Sequence, residues 1–228
     1  MKIAIMGAMP EEIAPLLEKV GEYASETYAG NTYYQASFAG HDLVIAYSKI
    51  GKVFSTLTAA TMIEKYGCEK LLFSGVAGAI NPELKIGDLI VAEKLCQHDL
   101  DITAFGHPHG FVPEGSVFVE TDKDLNRIAL EVAKDLDLKV LSGTIATGDQ
   151  FIHDKTKNEW IGETFNADAL EMEGASVSVV CNALEVPFFI LRAISDAADM
   201  DASFSFDEFL ETAAVNSANF VIAMVEKI

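Results

Sequence analysis

The chain has 228 residues, half of them hydrophobic, and 35 acidic residues against 16 lysines and arginines give a formal net charge of −19. A chain of this length and apolar content buries a sizeable core, which excludes intrinsic disorder. The acidic excess argues against a surface that tracks nucleic acid or an anionic membrane. No repeat, low-complexity tract or Ser/Pro-rich linker divides the sequence, so we expect one domain over residues 1–228.

The cysteines Cys68, Cys96 and Cys181 are an odd, widely scattered set without the spacing of a zinc site. We therefore expect free thiols in a reducing compartment rather than a disulfide framework. The N-terminal segment has only a short apolar run before two glutamates, which is unlike a signal peptide, and no uncharged apolar run is long enough for a transmembrane helix. These features predict a cytoplasmic protein.

Short strand-like runs alternate with segments of helical period along the chain. The predicted strands are residues 2–6, 32–38, 42–48, 71–74, 89–92, 140–147, 167–170 and 187–194. The predicted helices are residues 10–20, 51–66, 124–136, 174–184 and 206–228, and a long loop rich in Gly, Pro and His covers residues 102–116. The alternation predicts an α/β fold, in which a hairpin of the second and third strands adds antiparallel pairing to a mixed central sheet flanked by helices.

Acidic side chains follow several of the predicted strands. Glu12 follows the first strand, Glu171 and Glu173 follow the strand at 167–170, and Asp196 follows the strand at 187–194, which itself carries Arg192. Ligands of open α/β sheets bind beyond the carboxyl ends of the strands. The combination therefore predicts an acid/base site at this edge of the sheet.

Each of these residues also has an ordinary structural explanation. A glutamate such as Glu12 suits the first turn of a helix, where the helix dipole favours negative charge. Asp196, next to Ser195, suits the cap of a following segment, and Arg192 with Glu173 suits a structural buried ion pair. By itself, the pattern indicates only an acid/base site in an α/β enzyme.

Two further motifs carry less information. His98 and Asp99, followed by His107 and His109, offer metal-ligand residue types without a recognised spacing, so no metal site is predicted. The glycine-rich segment at 75–78 lacks the dinucleotide-binding pattern, and no P-loop lysine follows it. It predicts a turn at which the backbone approaches a ligand closely.

Seven ordered blocks, spread nearly end to end, resemble the 5′-methylthioadenosine/S-adenosylhomocysteine nucleosidases, within the wider nucleoside phosphorylase–hydrolase fold. The blocks are residues 5–12, 48–53, 101–106, 147–152, 171–175, 192–196 and 205–209. Residues 48–53, 73–78 and 148–152 also resemble the versions from bacteria that make menaquinone through futalosine. The resemblance there implies cleavage of 6-amino-6-deoxyfutalosine.

The resemblance implies an N-glycosyl hydrolase that releases adenine from 5′-methylthioadenosine, S-adenosylhomocysteine and 5′-deoxyadenosine. It implies that Glu12 activates the attacking water and that Asp196, placed with the help of Ser195, protonates adenine N7. Acid/base chemistry of this kind requires no metal or redox cofactor.

The resemblance also implies substrate contacts and a homodimer. The implied contacts are Phe151 stacking on adenine, the backbone of Ile152 at the base edge, the backbone of Ala77 and Gly78 near the substrate, Met172, Glu173 and Arg192 around the ribose, Met9, Ile50 and Phe206 along the 5′-substituent, and Phe105 and Pro113 reaching in from the partner subunit.

Two departures and two alternatives remain. Val76 stands where relatives carry Ser, and Pro10 stands at an often acidic position, but neither change touches the implied acid or base. A sibling phosphorylase needs cations for phosphate, whereas the first turn is acidic and no arginine precedes Arg127. A nucleoside-binding sensor on the same fold is the second alternative, although a binder needs no water-activating base such as Glu12.

Overall fold

The computed structural model describes the backbone of residues 1–196 and 202–228, and the side chains of residues 1–196 and 209–228. Its strands are β1 (Lys2–Gly7), β2 (Ala24–Tyr28), β3 (Asn31–Phe38), β4 (His41–Tyr47), β5 (Lys70–Ala79), β6 (Leu89–Gln97), β7 (Phe118–Glu120), β8 (Val140–Thr147), β9 (Ala169–Glu171) and β10 (Phe188–Asp196). Its helices are α1 (Pro10–Val20), α2 (Lys52–Glu64), α3 (Lys123–Asp135), α4 (Lys155–Phe165), α5 (Gly174–Ala183) and α6 (Ala202–Val225), and Thr103–Phe105 forms a short 3₁₀ turn.

These strands form one mixed sheet that closes on itself at one end. Strand β10 pairs with both β5 and β6, so that β5, β10, β6, β8 and β9 make a closed ring. Strands β1, β4, β3 and β2 extend from β5 as an open arm, in which β3 and β4 form the predicted hairpin. The predicted α/β class with a mixed sheet is confirmed.

Strand β5 is shared between two neighbours on one of its edges. Strand β10 pairs in parallel along most of β5 and occupies one edge. The other edge pairs with β1 over residues 70–73 and with β9 only from Gly78 onward. The intervening stretch, residues 74–77, therefore leaves backbone groups on that edge available to side chains.

Helices cover both faces of the sheet. Buried apolar side chains of α2 and α5 pack with one face, and those of α1, α3 and α6 pack with the other. The apolar faces of these helices follow from their helical period, as in α1, where Ile13 and Leu16 are buried. In the described part of the chain, no helix has the length and apolar character needed to cross a membrane.

Two strands differ from the sequence prediction in ways that affect the site. The glycine-rich segment at 75–78 is not a turn, because β5 continues through it to Ala79. Pairing with β10 along this stretch outweighs the weak strand preference of glycine. Strand β10 likewise extends beyond the predicted end at 194, so that Ser195 and Asp196 belong to the strand itself.

Three elements were not predicted from the sequence. All five residues of β2 are exposed, and β7 has only three residues, so neither shows an alternation of apolar and polar side chains. Helix α4 does carry a local signal, because the Asp154 side chain accepts a hydrogen bond from the Lys157 amide as an N-cap. Its mixed polar surface hides the helical period.

Candidate active site

A cavity of about 300 Å³ lies at the carboxyl ends of β1, β5 and β10. Residues of the predicted site that line it are Met9, Glu12, Ile50, Ala77, Gly78, Phe151, Ile152, Met172, Glu173, Ser195 and Asp196. Lining residues without a role assigned from the sequence are Ala8, Val76, Gln150, Leu170 and Glu171. The structure therefore brings the acidic residues of three separate strand ends to one cavity.

Glu12 is buried in the first turn of α1 and held by backbone donors. Its Oε2 accepts hydrogen bonds from the amides of Ala8 and Met9, and its Oε1 accepts one from the Val76 amide at 3.0 Å. Burial raises the pKa of Glu12, while the charge of Arg192 and the three amide donors oppose that rise. Glu12 is thus an oriented carboxyl group rather than the solvated first-turn acid of the alternative interpretation.

Two glycines of β5 make room for the buried carboxyl groups. A Cβ atom at Gly75 would lie 2.7 Å from Oε1 of Glu12, and one at Gly78 would lie 2.8 Å from Oδ2 of Asp196. Any side chain at these positions would displace a carboxyl group. The sequence predicted that the backbone of the glycine-rich segment approaches a ligand closely. In the structure this segment is part of β5, and its backbone lies close to the side chains of Glu12 and Asp196.

Asp196 reaches the cavity because β10 contains an irregularity. Ile194 pairs with Ala77 and Asp196 pairs with Gly78, so Ser195 is an extra residue in the ladder. A bulge of this kind redirects the side chains that follow it. The Ser195 Oγ donates a hydrogen bond of 2.8 Å to Oδ1 of Asp196. Burial raises the pKa of Asp196 and outweighs the lowering effect of this bond, which favours the protonated acid.

Arg192 lies outside the cavity lining, beneath the site, with 1% of its surface exposed. Its Nη2 lies 2.7 Å from Oε2 of Glu171, and its Nη1 donates to the Leu191 carbonyl at 3.0 Å. Its guanidinium carbon also lies 4.0 Å from the centroid of the Phe73 ring. The buried ion pair considered from the sequence thus forms with Glu171 instead of Glu173, because Glu171 lies in β9 close to this guanidinium.

Glu171 is the acid that the sequence analysis left without a role. Besides Arg192, its carboxylate accepts hydrogen bonds from the Thr147 hydroxyl and from the amides of Glu173 and Gly174, the last at 2.7 Å. These donors and the N-terminus of α5 stabilise the anion. The sequence did contain a signal for this ion pair. Arg192 lies in an apolar strand and needs a buried partner, and both Glu171 and Glu173 were available as that partner.

Among the described residues, Glu173 has fewer hydrogen-bond partners than Glu171. Its Oε1 accepts a hydrogen bond of 2.7 Å from the Gly51 amide. Burial and the neighbouring Glu171 charge raise the pKa of Glu173 to about 8, although Gly51 and Arg192 oppose the rise. The two glutamates therefore differ in their free hydrogen-bonding capacity. The acceptors of Glu171 are used by protein donors, whereas Glu173 lines the cavity and can still accept hydrogen bonds from a ligand.

The mouth of the cavity is apolar and half exposed. Phe151 is 46% exposed and Ile50 is 55% exposed, whereas Ile152 is buried behind them. Phe105 is 81% exposed and does not line the cavity of its own chain, nor does the exposed Pro113. The predicted contact of Phe206 lies outside the described side chains, although its backbone belongs to α6.

The histidine-rich segment forms no metal site among the described residues, where no group of three or more His, Cys, Asp or Glu could hold a metal ion. His98 is buried against Gly148, and burial lowers its pKa. Asp99 instead pairs with Lys52 at 2.7 Å. His109 lies 3.8 Å from Asp101 near the surface.

Comparison with known proteins agrees with this geometry. The chain matches the family model of the phosphorylase superfamily over residues 2–226. It is 62% identical over 228 residues to the aminodeoxyfutalosine nucleosidase of Campylobacter jejuni, covering 100% of both chains. It is 37% identical over 230 residues to the 5′-methylthioadenosine/S-adenosylhomocysteine nucleosidase of Bacillus thuringiensis, again covering 100% of both chains.

A crystal structure of the Campylobacter jejuni 5′-methylthioadenosine/S-adenosylhomocysteine nucleosidase matches the chain with a TM-score of 0.97 at 62% identity over 100% of both chains. The architecture and the superfamily match define the class, that of the nucleoside phosphorylases and hydrolases. Within that class, the chain belongs to the 5′-methylthioadenosine/S-adenosylhomocysteine nucleosidase family, which includes the aminodeoxyfutalosine nucleosidases.

The raised pKa of Glu173 predicts a pH-dependent stability. Between its ordinary pKa of 4.5 and about 8, the folded protein holds a proton that the unfolded chain releases. The unfolded chain then binds fewer protons, so the contribution of Glu173 to the free energy of unfolding falls as pH rises through this window. We expect Glu173→Gln to flatten the decline of Tm from pH 5 to pH 8, measured by calorimetry. The exposed Glu163→Gln serves as the control, and equal slopes in all three proteins would contradict the prediction.

Proposed function

We propose that the protein hydrolyses the N-glycosidic bond of adenine nucleosides and releases adenine. The observation that carries this proposal is one cavity with two buried carboxyl groups in different environments. Glu12 is fixed by three backbone donors, while the Ser195 hydroxyl is the donor to Asp196 within the part of the chain that the structure describes. Two carboxyl groups in different roles are the usual equipment for breaking a glycosidic bond.

Asp196 is proposed as the general acid. Adenine leaves poorly as an anion, so a proton must reach N7 while the bond to the sugar stretches. The raised pKa of Asp196 keeps a proton available on a carboxyl group nearer neutral pH. The Ser195 hydroxyl holds the orientation of that group. Such proton transfer contributes about 10²–10⁴-fold to the rate.

Glu12 is proposed as the base that activates water. Its backbone donors fix the carboxylate, so it orients a water molecule without rearranging. Burial, which raises its pKa, makes this carboxylate a better proton acceptor than an exposed one. The sugar passes through an oxocarbenium-like state, which the negative charge of neighbouring carboxylates stabilises.

Other residues around the cavity suit the two halves of a nucleoside. Glu173 retains acceptor capacity for ribose hydroxyls, with Met172 beside it. Phe151 offers an aromatic face for the purine and Ile152 offers its backbone at the base edge. Arg192 would then act on the ribose indirectly, through the charges of Glu171 and Glu12, because it lies outside the cavity lining.

The charge of the cavity supports hydrolysis over phosphorolysis. Its described lining contains the acids Glu12, Glu171, Glu173 and Asp196 and no lysine, arginine or histidine. The buried Arg192 is already paired with Glu171. A phosphate dianion would lie beside the proposed Glu12 carboxylate without a counterion from the described lining, whereas a water molecule carries no such penalty.

Product analysis in phosphate buffer tests the reaction type. With methylthioadenosine as substrate, we expect adenine and the free 5-methylthioribose, because water is the acceptor. Chromatography of the products against authentic standards measures this. Formation of 5-methylthioribose 1-phosphate would overturn hydrolysis, and binding without any adenine release would favour the sensor interpretation.

The acid and base roles predict the effect of two isosteric changes. Glu12→Gln and Asp196→Asn should each reduce kcat by about 10²–10⁴-fold, because each removes a proton-transfer group. Far-UV circular dichroism should remain that of the parent protein. Glu11→Gln changes the exposed neighbour of Glu12 and should retain activity. Near-normal turnover in either test variant would remove that residue from the mechanism.

We infer further that the protein is a homodimer in which Phe105 and Pro113 complete the partner's site. An exposed apolar stripe formed by Ile50, Val53 and Leu57 supports this, because it begins at the cavity mouth and follows one face of α2. Val53 is 76% exposed and Leu57 is 44% exposed. Exposed apolar stripes of this kind mark protein–protein interfaces.

A charge placed in the stripe should separate the subunits. We expect Leu57→Glu to be monomeric by light scattering and to have a higher KM, because the partner's loop no longer reaches the 5′-substituent pocket. Leu130→Glu introduces the same charge at an exposed leucine of α3 and should remain dimeric. A monomeric parent protein with full activity would contradict the interface.

The proposed substrates are 5′-methylthioadenosine, S-adenosylhomocysteine, 5′-deoxyadenosine and 6-amino-6-deoxyfutalosine. The names of the relatives at 62% and 37% identity support all of these except 5′-deoxyadenosine, which rests on the family resemblance of the sequence. Such activities would place the enzyme in methionine salvage and menaquinone biosynthesis, in the cytoplasm. The free, buried thiols of Cys68, Cys96 and Cys181 are consistent with that compartment. Comparison of kcat/KM for the four nucleosides ranks them.

A further inference from the structure

We infer that Lys52 and Asp99 are positioning residues that join the two loops holding opposite halves of the nucleoside. The inference rests on the proposed function and adds two residues that do not line the cavity. One loop, residues 48–52, leads into α2, and the other, residues 148–152, follows β8. We call the contacts between Lys52, Asp99 and Asp149 the loop clamp.

The loop clamp is a closed circuit of hydrogen bonds. The Lys52 Nζ lies 2.7 Å from Oδ1 of Asp99, and Oδ2 of Asp99 accepts a hydrogen bond of 2.9 Å from the Asp149 amide. Oδ1 of Asp149 accepts a hydrogen bond of 2.8 Å from the Lys52 amide. Gln97, at the end of β6, adds an acceptor 3.3 Å from Nζ. The loops are thus tied to each other and to β6.

Both loops carry groups of the proposed site. Gly51, next to Lys52, donates its amide to Glu173 at 2.7 Å, on the ribose side. Phe151 and Ile152, two and three residues after Asp149, line the cavity on the base side. A shift in the clamp would therefore move both subsites together. Small displacements of positioning groups have large effects on binding and rate.

A lysine at position 52 is unfavourable for the helix that it begins. Lys52 is the first residue of α2, where the helix dipole disfavours positive charge. The acid that suits this helix end is supplied from the other loop, by Asp149. A local conflict of this kind is expected where a residue serves a site rather than its own helix. Removal of the Lys52 charge should therefore leave α2 intact.

Within the loop clamp, the Lys52–Asp99 pair is more sheltered than an ordinary surface ion pair. The side chains of Lys52 and Asp99 are 19% and 14% exposed. Burial raises the pKa of Asp99, but the hydrogen bonds from Lys52 and the Asp149 amide outweigh it and lower the pKa below its ordinary value. Asp99 is therefore a carboxylate near neutral pH. Gly51, with φ of +99°, would place a Cβ atom 3.0 Å from Asp149, so glycine permits the close approach.

The test compares Lys52→Met, Asp99→Asn and the double variant. For methylthioadenosine we expect each single variant to raise KM about tenfold, with kcat changed less than about threefold, because the loops bind rather than react. The double variant should match the singles, since all three lose the same pair. Titration calorimetry with adenine alone should show about tenfold weaker binding, which tests the base-side loop without turnover.

Two variants serve as controls. Lys52→Arg keeps the charge and should restore most of the affinity. Lys139→Met removes the 3.3 Å pair with Asp88 at the opposite end of β6 and should leave KM unchanged. Unchanged KM and adenine affinity in Lys52→Met would overturn the inference. A monomeric Lys52→Met protein, or a Tm loss with kcat and KM falling together, would overturn it as well.

Failure of the proposed function is a separate result. A parent protein that binds adenine but cleaves no nucleoside would refute the proposed hydrolysis. Weaker adenine binding by Lys52→Met and Asp99→Asn would still support the loop clamp in that case.

Discussion

The structure depends on placing four acidic side chains, Glu12, Glu171, Glu173 and Asp196, in one buried region beside the buried cation Arg192. Desolvation opposes charge on every one of them. Hydrogen-bond donors offset this desolvation to a different extent for each acid. Glu171 receives Arg192 and three further donors, and Glu12 receives three backbone amides, whereas the described donors to Glu173 and Asp196 are the Gly51 amide and the Ser195 hydroxyl. Burial raises the pKa of Glu12, Glu173 and Asp196. The different roles proposed for the acids follow from this unequal distribution of donors.

The fold was largely predictable where burial imposes a period on the sequence. Strand β8 and the hairpin of β3 and β4 were predicted almost to the residue, because β4 and β8 contain continuous buried runs and β3 partly alternates between buried and half-buried residues. Strand β5 was predicted too short, since residues 75–78 lack strand preference and are held by pairing with β10. That pairing joins residues more than a hundred positions apart, which no local pattern indicates. The exposed strand β2 had no burial pattern to detect.

The candidate site was predictable as a set of residues and less so as a set of contacts. Acids at strand ends, together with the family resemblance, named most of the cavity lining. The sequence could not decide whether Arg192 pairs with Glu171 or Glu173, because the choice depends on the register of β9 against β5 and β8. Nor could it foresee that Gly75 and Gly78 each accommodate a carboxyl group. Such contacts arise only from tertiary proximity.

Closure of the sheet also has a consequence for self-association. Strands β5 and β10, which border the acidic centre, are members of the ring and have strand neighbours on both edges. Unpaired strand edges are the places where chains add to one another and aggregate. The open arm ends instead at the short strand β2, whose Glu26 pairs with Lys65. Accidental strand addition is thereby directed to the far end of the arm, at β2, which is separated from β5 by the three strands β1, β4 and β3.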